Sequence, residues 1–162
     1  AWSEPRPFDP VVNSLPMHWQ FSIDRAGNVY TSADNIFCAR LENGKYLAPE
    51  RLPAPINEVH TEKDKYGAGE IGPFISPDGD YLIFSKLQAG MRLFISFRKN
   101  DGTWTEPRDL SEKLQTEGND SMAKVSPDGK YIFFQSDRRG SGASRGLYWV
   151  DARIIDSLKP KD

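Results

Sequence analysis

Three glycines fix the plan of this chain. Gly27, Gly79 and Gly129 are separated by 52 and 50 residues, and around each the same order of short apolar runs and turns recurs. The fullest copy spans residues 72–108, GPFISPDGDYLIFSKLQAGMRLFISFRKNDGTWTEPR. Within it Pro77-Asp78-Gly79 is a tight-turn sequence, because proline presets φ at the first corner and glycine accepts the positive φ that a Cβ resists. The turn separates a first strand (A), Pro73-Phe-Ile-Ser76, from a second (B), Tyr81-Leu-Ile-Phe84, whose unbroken apolar run is that of a strand covered on both faces. Leu93-Phe-Ile-Ser-Phe-Arg98 is rich in β-branched and aromatic residues and reads as a third strand (C). Asn100-Asp-Gly102 turns the chain into a fourth (D), Trp104-Thr-Glu-Pro107, whose proline fits an outermost strand with one unpaired edge.

The fourth-strand signature recurs as Trp2-Ser-Glu-Pro5 and Tyr46-Leu-Ala-Pro49, and each of the three prolines is followed eight residues later by an amide: Asn13, Asn57 and Gln115. The first copy departs in two ways: its turn, Asp24-Arg-Ala-Gly27, has no proline, and its strand B, Asn28-Val-Tyr-Thr-Ser32, is one residue shorter. Four antiparallel strands per repeat of about 50 residues are the dimensions of a propeller blade. The expected fold is therefore all-β: a β-propeller built of three four-stranded antiparallel blades, half of a six-bladed ring, with residues 1–162 as one half-propeller domain. Residues 1–12 carry a lone strand D, 18–52 blade one, 70–110 blade two, 120–150 strands A to C of blade three, and 151–160 a short C-terminal helix stopped by Pro160. Long loops are expected at 58–69 and 137–146, both rich in charge, Gly or Ser.

Blade three has no strand D, and the first strand D has no blade. Rings have about 4–8 blades, so three blades leave open strand edges, which folded proteins avoid. Two arrangements are expected to resolve this. Either the chain is half of a longer one with six blades, or a homodimer closes a six-bladed ring by strand exchange, each first strand completing the partner's last blade.

A formal charge of −2 and a pI near 5.8 give no electrostatic footprint for nucleic acid. No apolar run approaches the roughly 20 residues of a membrane span, and no secretory signal opens the sequence. Cys38 is alone, expected as a small packed side chain at the position of Ser96 and Val150, so cysteine usage leaves the compartment open.

Ser76-Pro-Asp-Gly79 before Tyr-Leu-Ile-Phe-Ser85, and Ser126-Pro-Asp-Gly129 before Tyr-Ile-Phe-Phe-Gln-Ser-Asp-Arg138, resemble the TolB-type, WD-like β-propeller repeat. Trp104-Thr-Glu-Pro107 and the ending Tyr148-Trp-Val-Asp-Ala-Arg-Ile-Ile-Asp-Ser-Leu-Lys-Pro160 resemble exported bacterial members of that family. The resemblance implies a periplasmic or secreted setting and a chain of six or more blades preceded by a signal peptide; this sequence departs on both counts, and against that family it is expected to be a C-terminal half. It is specific for fold and says little of function, since propellers host binding, scaffolding and several chemistries.

In a propeller, strand A lines the central channel. Nine residues before each turn glycine stand His18, Glu70 and Asp120, ionisable groups at equivalent strand starts that could hold a cation or a polar ligand, or simply line a hydrated wall. His18 lies in Met17-His-Trp-Gln20, where Trp19 could stack on a sugar or peptide and Gln20 hydrogen-bond it, or where the tryptophan packs between blades. The expected ligand-binding residues at the channel mouth are thus His18, Trp19, Gln20, Glu70 and Asp120. Asp78 and Asp128 are turn formers, with a structural calcium ion as the lesser alternative; no cofactor is expected. Two histidines, His18 and His60, cannot build a three-histidine metal site, and Gly140-Ser-Gly-Ala-Ser144 lacks the spacing of a nucleophile elbow. The sequence therefore reads as a non-catalytic binding or protein-interaction module for a protein or carbohydrate ligand, the alternative being part of a carbohydrate-active or peptidase-associated propeller enzyme with its site at the central channel.

Overall fold

The computed structural model describes residues 2–58, 69–88, 90–116, 118–138 and 145–160. His60, most of the first long loop and residues 139–144 of the second lie outside them, as does Ala1. The described chain is all-β. Its strands are β1 (Phe21–Ile23), β2 (Val29–Ser32), β3 (Ile36–Ala39), β4 (Leu41–Glu42), β5 (Lys45–Tyr46), β6 (Glu50–Arg51), β7 (Glu70–Ile75), β8 (Tyr81–Gln88), β9 (Gly90–Phe97), β10 (Arg108–Asp109), β11 (Asp120–Val125), β12 (Tyr131–Ser136) and β13 (Gly146–Asp151). The described helices are short: a 3-10 turn at Val12–Ser14, α1 (Leu110–Lys113) and α2 (Ile154–Leu158). Three antiparallel sheets carry the fold, ordered β1-β2-β3-β6, β7-β8-β9-β10 and β11-β12-β13, with β4-β5 as a small hairpin.

The sheets stack in chain order. Tyr30, Ile36 and Cys38 of sheet one meet Ile75, Leu82, Phe84 and Phe94 of sheet two in one apolar core. On its other face sheet two sends Ile83, Leu93, Ile95 and Phe97 against Ala123, Ile132 and Phe134 of sheet three, with Ile155 and Leu158 of α2 closing the edge. Sheet two is thus covered on both faces, which is why β8 tolerates the continuous run Tyr81-Leu-Ile-Phe84.

The turns explain both the repeat and its exception. Gly79 and Gly129 sit at φ +73° and +72°, and in each turn a serine hydroxyl replaces the missing ladder bonds: Ser76 Oγ accepts Asp80 N at 2.9 Å and Tyr81 N at 3.1 Å, Ser126 Oγ accepts Lys130 N at 3.2 Å and Tyr131 N at 3.0 Å. In sheet one Asp24 plays this part, but the turn closes a residue earlier: Asp24 N donates to Asn28 O at 3.1 Å, where Ser76 N donates to Tyr81 O. Side chains alternate between the two faces with period two, so this one-residue deletion exchanges the faces of everything after it. Tyr30 rather than Val29 therefore faces sheet two, and Cys38 corresponds to Ile95 and Trp149, not to Ser96 and Val150 as the uncorrected alignment places it. Burial pushes the Cys38 thiol up to about 11, an unreactive packed group.

The outer strands also differ from expectation. Trp104-Thr-Glu-Pro107 and Tyr46-Leu-Ala-Pro49 are not the edge ladders. Trp104 makes only an isolated bridge to Arg98, Tyr46 pairs with Leu41, and the edge pairing begins immediately after each proline, at Arg108–Asp109 and Glu50–Arg51. Thr105 bends the chain before the first of these, its Oγ1 accepting Phe97 N at 3.0 Å and its carbonyl accepting the Ser96 hydroxyl at 2.6 Å, and Pro107 has no N–H to offer. At the N-terminus, within the segment 1–12 read as a lone strand D, residues 2–9 pair with no strand among the described residues, and Trp2 is fully exposed. Nor does the shared offset of the three amides give a shared environment: Asn57 is fully buried, while Asn13 and Gln115 are exposed.

Strand A of sheets two and three carries a bulge, between Ile71 and Phe74 and between Ser121 and Lys124. Each bulge turns on a residue in the left-handed region, Gly72 (φ +65°) and Met122 (φ +60°). A Cβ on Gly72 would lie 3.0 Å from Gln20 Oε1. Gly72→Ala is expected to cost about 1 kcal/mol, the left-handed penalty partly offset by lower unfolded-state entropy, read as a lower urea midpoint at unchanged slope.

Candidate functional site

The inner strand starts do not behave alike. Glu70 and Asp120 open β7 and β11 at equivalent ladder positions and are both fully buried. His18, Trp19 and Gln20 precede β1. His18 is exposed, its Nδ1 3.0 Å from Thr31 Oγ1; Trp19 is 59% exposed; Gln20 is half-buried, with its Oε1 enclosed beside Gly72. The five predicted residues thus comprise an exposed pair, His18 and Trp19, the half-buried Gln20, and two fully buried acids, Glu70 and Asp120.

The two acids are compensated differently. Opposite Glu70 in the ladder stands Lys86, whose Nζ is 3.9 Å from Glu70 Oε1, forms an ion pair with Glu58 and lies 5.9 Å from the centre of the Phe94 ring. Opposite Asp120 stands Ser136. Neither carboxylate oxygen of Asp120 has a hydrogen bond of full geometry among the described residues. Burial raises its pKa above the usual carboxylate range; the nearby Ser136 and Ser111 hydroxyls and, more weakly, Arg138 and Arg92 pull it back. Both guanidinium groups are engaged elsewhere, Arg92 with Asp109 at 2.7 Å and Arg138 over the Phe134 and Tyr148 rings. Asp120 is a carboxylate without a dedicated cation, the arrangement that favours its neutral form.

A residue the sequence reading missed joins all three sheets. Lys124 of β11 donates to Phe21 O at 3.3 Å and Pro73 O at 3.4 Å, one carbonyl from each other sheet, and lies 5.7 Å from the Phe74 ring centre. Burial lowers its pKa. It borders a cavity of about 380 Å³ with Ile23, Phe74, Pro77, Tyr81 and Val125. Its signal was a charged residue where the other copies carry Ser22 and Phe74. Arg98 links sheets one and two, donating to Tyr30 Oη at 2.6 Å and Gly79 O at 2.8 Å while stacking 4.5 Å from the Trp104 ring.

Asp128 bonds within its own turn, whereas Asp78 reaches across to the turn of sheet one. Asp78 forms an ion pair with Arg25 of the neighbouring turn, and Asp128 accepts from the Ser126 hydroxyl at 2.6 Å and Lys130 N at 3.2 Å, which hold its pKa below the ordinary carboxylate value. Among the described residues no group of three His, Cys, Asp or Glu is placed to hold a metal ion, and no helix is long and apolar enough to cross a membrane.

One face of sheet three is open and apolar. Burial alternates strictly along β12 and over residues 146–149 of β13, and the uncovered face carries Tyr131 (39% exposed), Phe133 (37%), Leu147 (73%) and Trp149 (63%), with Trp149 edge-on to Tyr131 at 5.1 Å. At the other end of the stack Phe21 and Ile23 of sheet one are exposed beside an apolar pocket of about 220 Å³ lined also by Phe8, Val12 and Val29.

No protein-family model matches the sequence, and no curated protein does. A solved structure described provisionally as TolB from Agrobacterium tumefaciens is similar over 86% of this chain and 59% of that one, at 18% identity and a TM-score of 0.40. The chain thus spans less than two thirds of that protein's length.

Proposed function

We propose that the three sheets are blades of a β-propeller and that the chain is a non-catalytic binding or protein-interaction module. One observation carries this: the uncovered face of sheet three, with four large apolar side chains arranged as an interior and left open. Contiguous exposed apolar surface on an otherwise charged molecule marks a docking site. The propeller reading is supported by three equivalent antiparallel meanders stacked face to face in chain order. Six such sheets make a ring, of which this chain supplies three. A periplasmic or secreted setting goes with this reading on the repeat resemblance alone.

A soluble ligand would meet His18 and Trp19, the exposed members at the strand starts, with Trp19 offering a face to a sugar or peptide. Glu70, Asp120 and Gln20 would set the field and shape behind them. The competing reading, a carbohydrate-active or peptidase-associated enzyme, draws on Asp120, whose raised pKa is of the kind found in general acids. Amide NMR spectra recorded against glycan and peptide libraries decide between them. Shifts at residues 18–20 without conversion of any library member are expected; turnover lost in His18→Ala or Glu70→Gln would sink the binding reading.

A further inference from the structure

We propose that a second copy of this chain supplies the missing fourth strand of sheet three, residues 6–8 of one copy pairing with residues 147–149 of the other. The inference rests on the propeller reading above and adds the occupant of the open face and its register.

The register follows from the two edges the chain completes itself. Glu50 pairs with Cys38 and Arg51 with Phe37, and Leu52 N then donates to Ile36 O at 2.9 Å. In sheet two Arg108 pairs with Ile95 and Asp109 with Phe94. Both edges begin directly after the proline of the Trp/Tyr-x-x-Pro signature, and Cys38 and Ile95 occupy the place of Trp149 in sheet three. After Trp2-Ser-Glu-Pro5 the same rule sets Arg6 opposite Trp149, Pro7 opposite Tyr148 and Phe8 opposite Leu147.

Pro7 is an internal check on this register. Since Leu52 N bonds Ile36 O, the alternation of an antiparallel pair makes Arg51 and Phe37 the non-hydrogen-bonded pair, with the Arg51 N–H aimed away from the ladder. Pro7 falls at the position of Arg51, one of the few in such a strand where a missing N–H costs nothing. A shift of one residue either way would put proline where the ladder needs a donor.

Asn13 supplies a second match. Asn57 Nδ2 donates to Leu52 O at 2.7 Å and to Ile36 O at 2.8 Å, while its Oδ1 accepts Ile36 N at 2.9 Å, so one amide pins the end of β3. Asn13 keeps the local bond, Nδ2 to Phe8 O at 3.4 Å, and makes no bond to a strand C among the described residues. The residue at Ile36's place in sheet three is Leu147. Val12 likewise packs on sheet one as Ile56 packs between sheets one and two, 3% and 1% exposed.

The faces agree with the edges. Ile36, Leu93 and Ile95 are fully buried because the next sheet covers them, whereas Leu147 and Trp149, their equivalents, are 73% and 63% exposed. On the receiving side Ile75 is 1% exposed beneath sheet one, and its equivalent Ile23 is 44% exposed. Donor segment, acceptor edge and both faces therefore lie on one chain, and the contact that joins sheets one and two, made once more in each direction, joins two copies head to tail in a closed pair.

The test is a disulfide trap. Pro7→Cys with Tyr148→Cys, in a Cys38→Ser background, places two thiols at a non-hydrogen-bonded pair with Cα atoms about 4.5 Å apart, within disulfide reach. Mild oxidation of the purified chain at micromolar concentration is expected to give a covalent dimer linked 7–148, identified by peptide mass after digestion. A link formed only within one chain, or none, overturns the inference. Leu147→Asp, on an exposed position of the lone chain, is expected to raise the dimer dissociation constant by at least about tenfold in analytical ultracentrifugation, since it buries an unpaired charge in the contact; no change overturns the inference as well. A dimer that scatters as a six-sheet ring but fails to trap removes this register and leaves the propeller reading standing.

Discussion

Replacing Asn57 by alanine lowers the stability of the chain by about 2–4 kcal/mol, because it leaves the Ile36 N–H and the Leu52 carbonyl without the partner Asn57 supplies, where each such orphan costs roughly 1–3 kcal/mol; the Ile36 carbonyl still accepts from Leu52 N. The side chain is fully buried and is the device that fastens the connector after sheet one to the end of β3. Ser111 does half of this in sheet two, its Oγ accepting Leu93 N at 2.9 Å. Urea denaturation at fixed chain concentration reads the loss as a lower midpoint with little change in slope. Gln115→Ala, at the same offset from its proline but exposed, is the control and stays within about 0.5 kcal/mol of the parent. Equal effects at the two positions would show that Asn57 does not hold the edge.

Asp120→Asn has the opposite sign and is expected to stabilise the chain at neutral pH, by about 2 kcal/mol, because it removes a buried ionisable group that has no dedicated cation. The pH dependence distinguishes this from a packing effect. Burial raises the folded-state pKa of Asp120 above its unfolded value, so below the unfolded value, about 3.9, both states are protonated and the substitution gains nothing. Between the two pKa values the unfolded state releases a proton that the folded state keeps, and the parent loses stability as pH rises. Above the folded value the penalty is complete and the gain from Asn levels off. Midpoints of parent and variant are therefore expected to coincide near pH 3 and to separate steadily towards neutrality. A constant difference at all pH values would assign the effect to shape rather than charge. If the strand starts also form the binding site, the same variant loses affinity as it gains stability, the trade expected where a strained group is kept for function.

Much of the architecture was legible because turn chemistry and period-two alternation act locally. Pro77-Asp78-Gly79 and its copy placed strands A and B on either side of it, and the apolar run of β8 announced a sheet covered on both faces. The deletion in the first turn was visible as a short strand B, but its consequence, the exchange of faces that moves Cys38 to the place of Ile95, emerges only when strands are paired. Edge ladders two residues long carry almost no periodicity, so the sequence drew attention to Trp104 and Tyr46 rather than to the residues after the prolines. The matching amides at 13, 57 and 115 misled for a related reason: a side chain can reach one backbone site from different offsets, and Ser111 does in sheet two what Asn57 does in sheet one. Among the site residues, the positions of Glu70 and Asp120 were readable by counting from the turn glycines. Their burial was not, since it is made by the neighbouring sheets, and neither was the reach of Lys124 across to Phe21 and Pro73.

On the proposed reading the open faces of this stack are covered and six sheets act as one ring. Small-angle scattering on the 162-residue chain, with its mass taken from light scattering on the same column, tests this most directly. The expected result is a mass twice the 18.3 kDa of one chain and a radius of gyration of about 20 Å, the value for a compact particle of two chains, unchanged on dilution through the micromolar range. A particle of 18.3 kDa with a radius of gyration of about 15 Å at every concentration would contradict it.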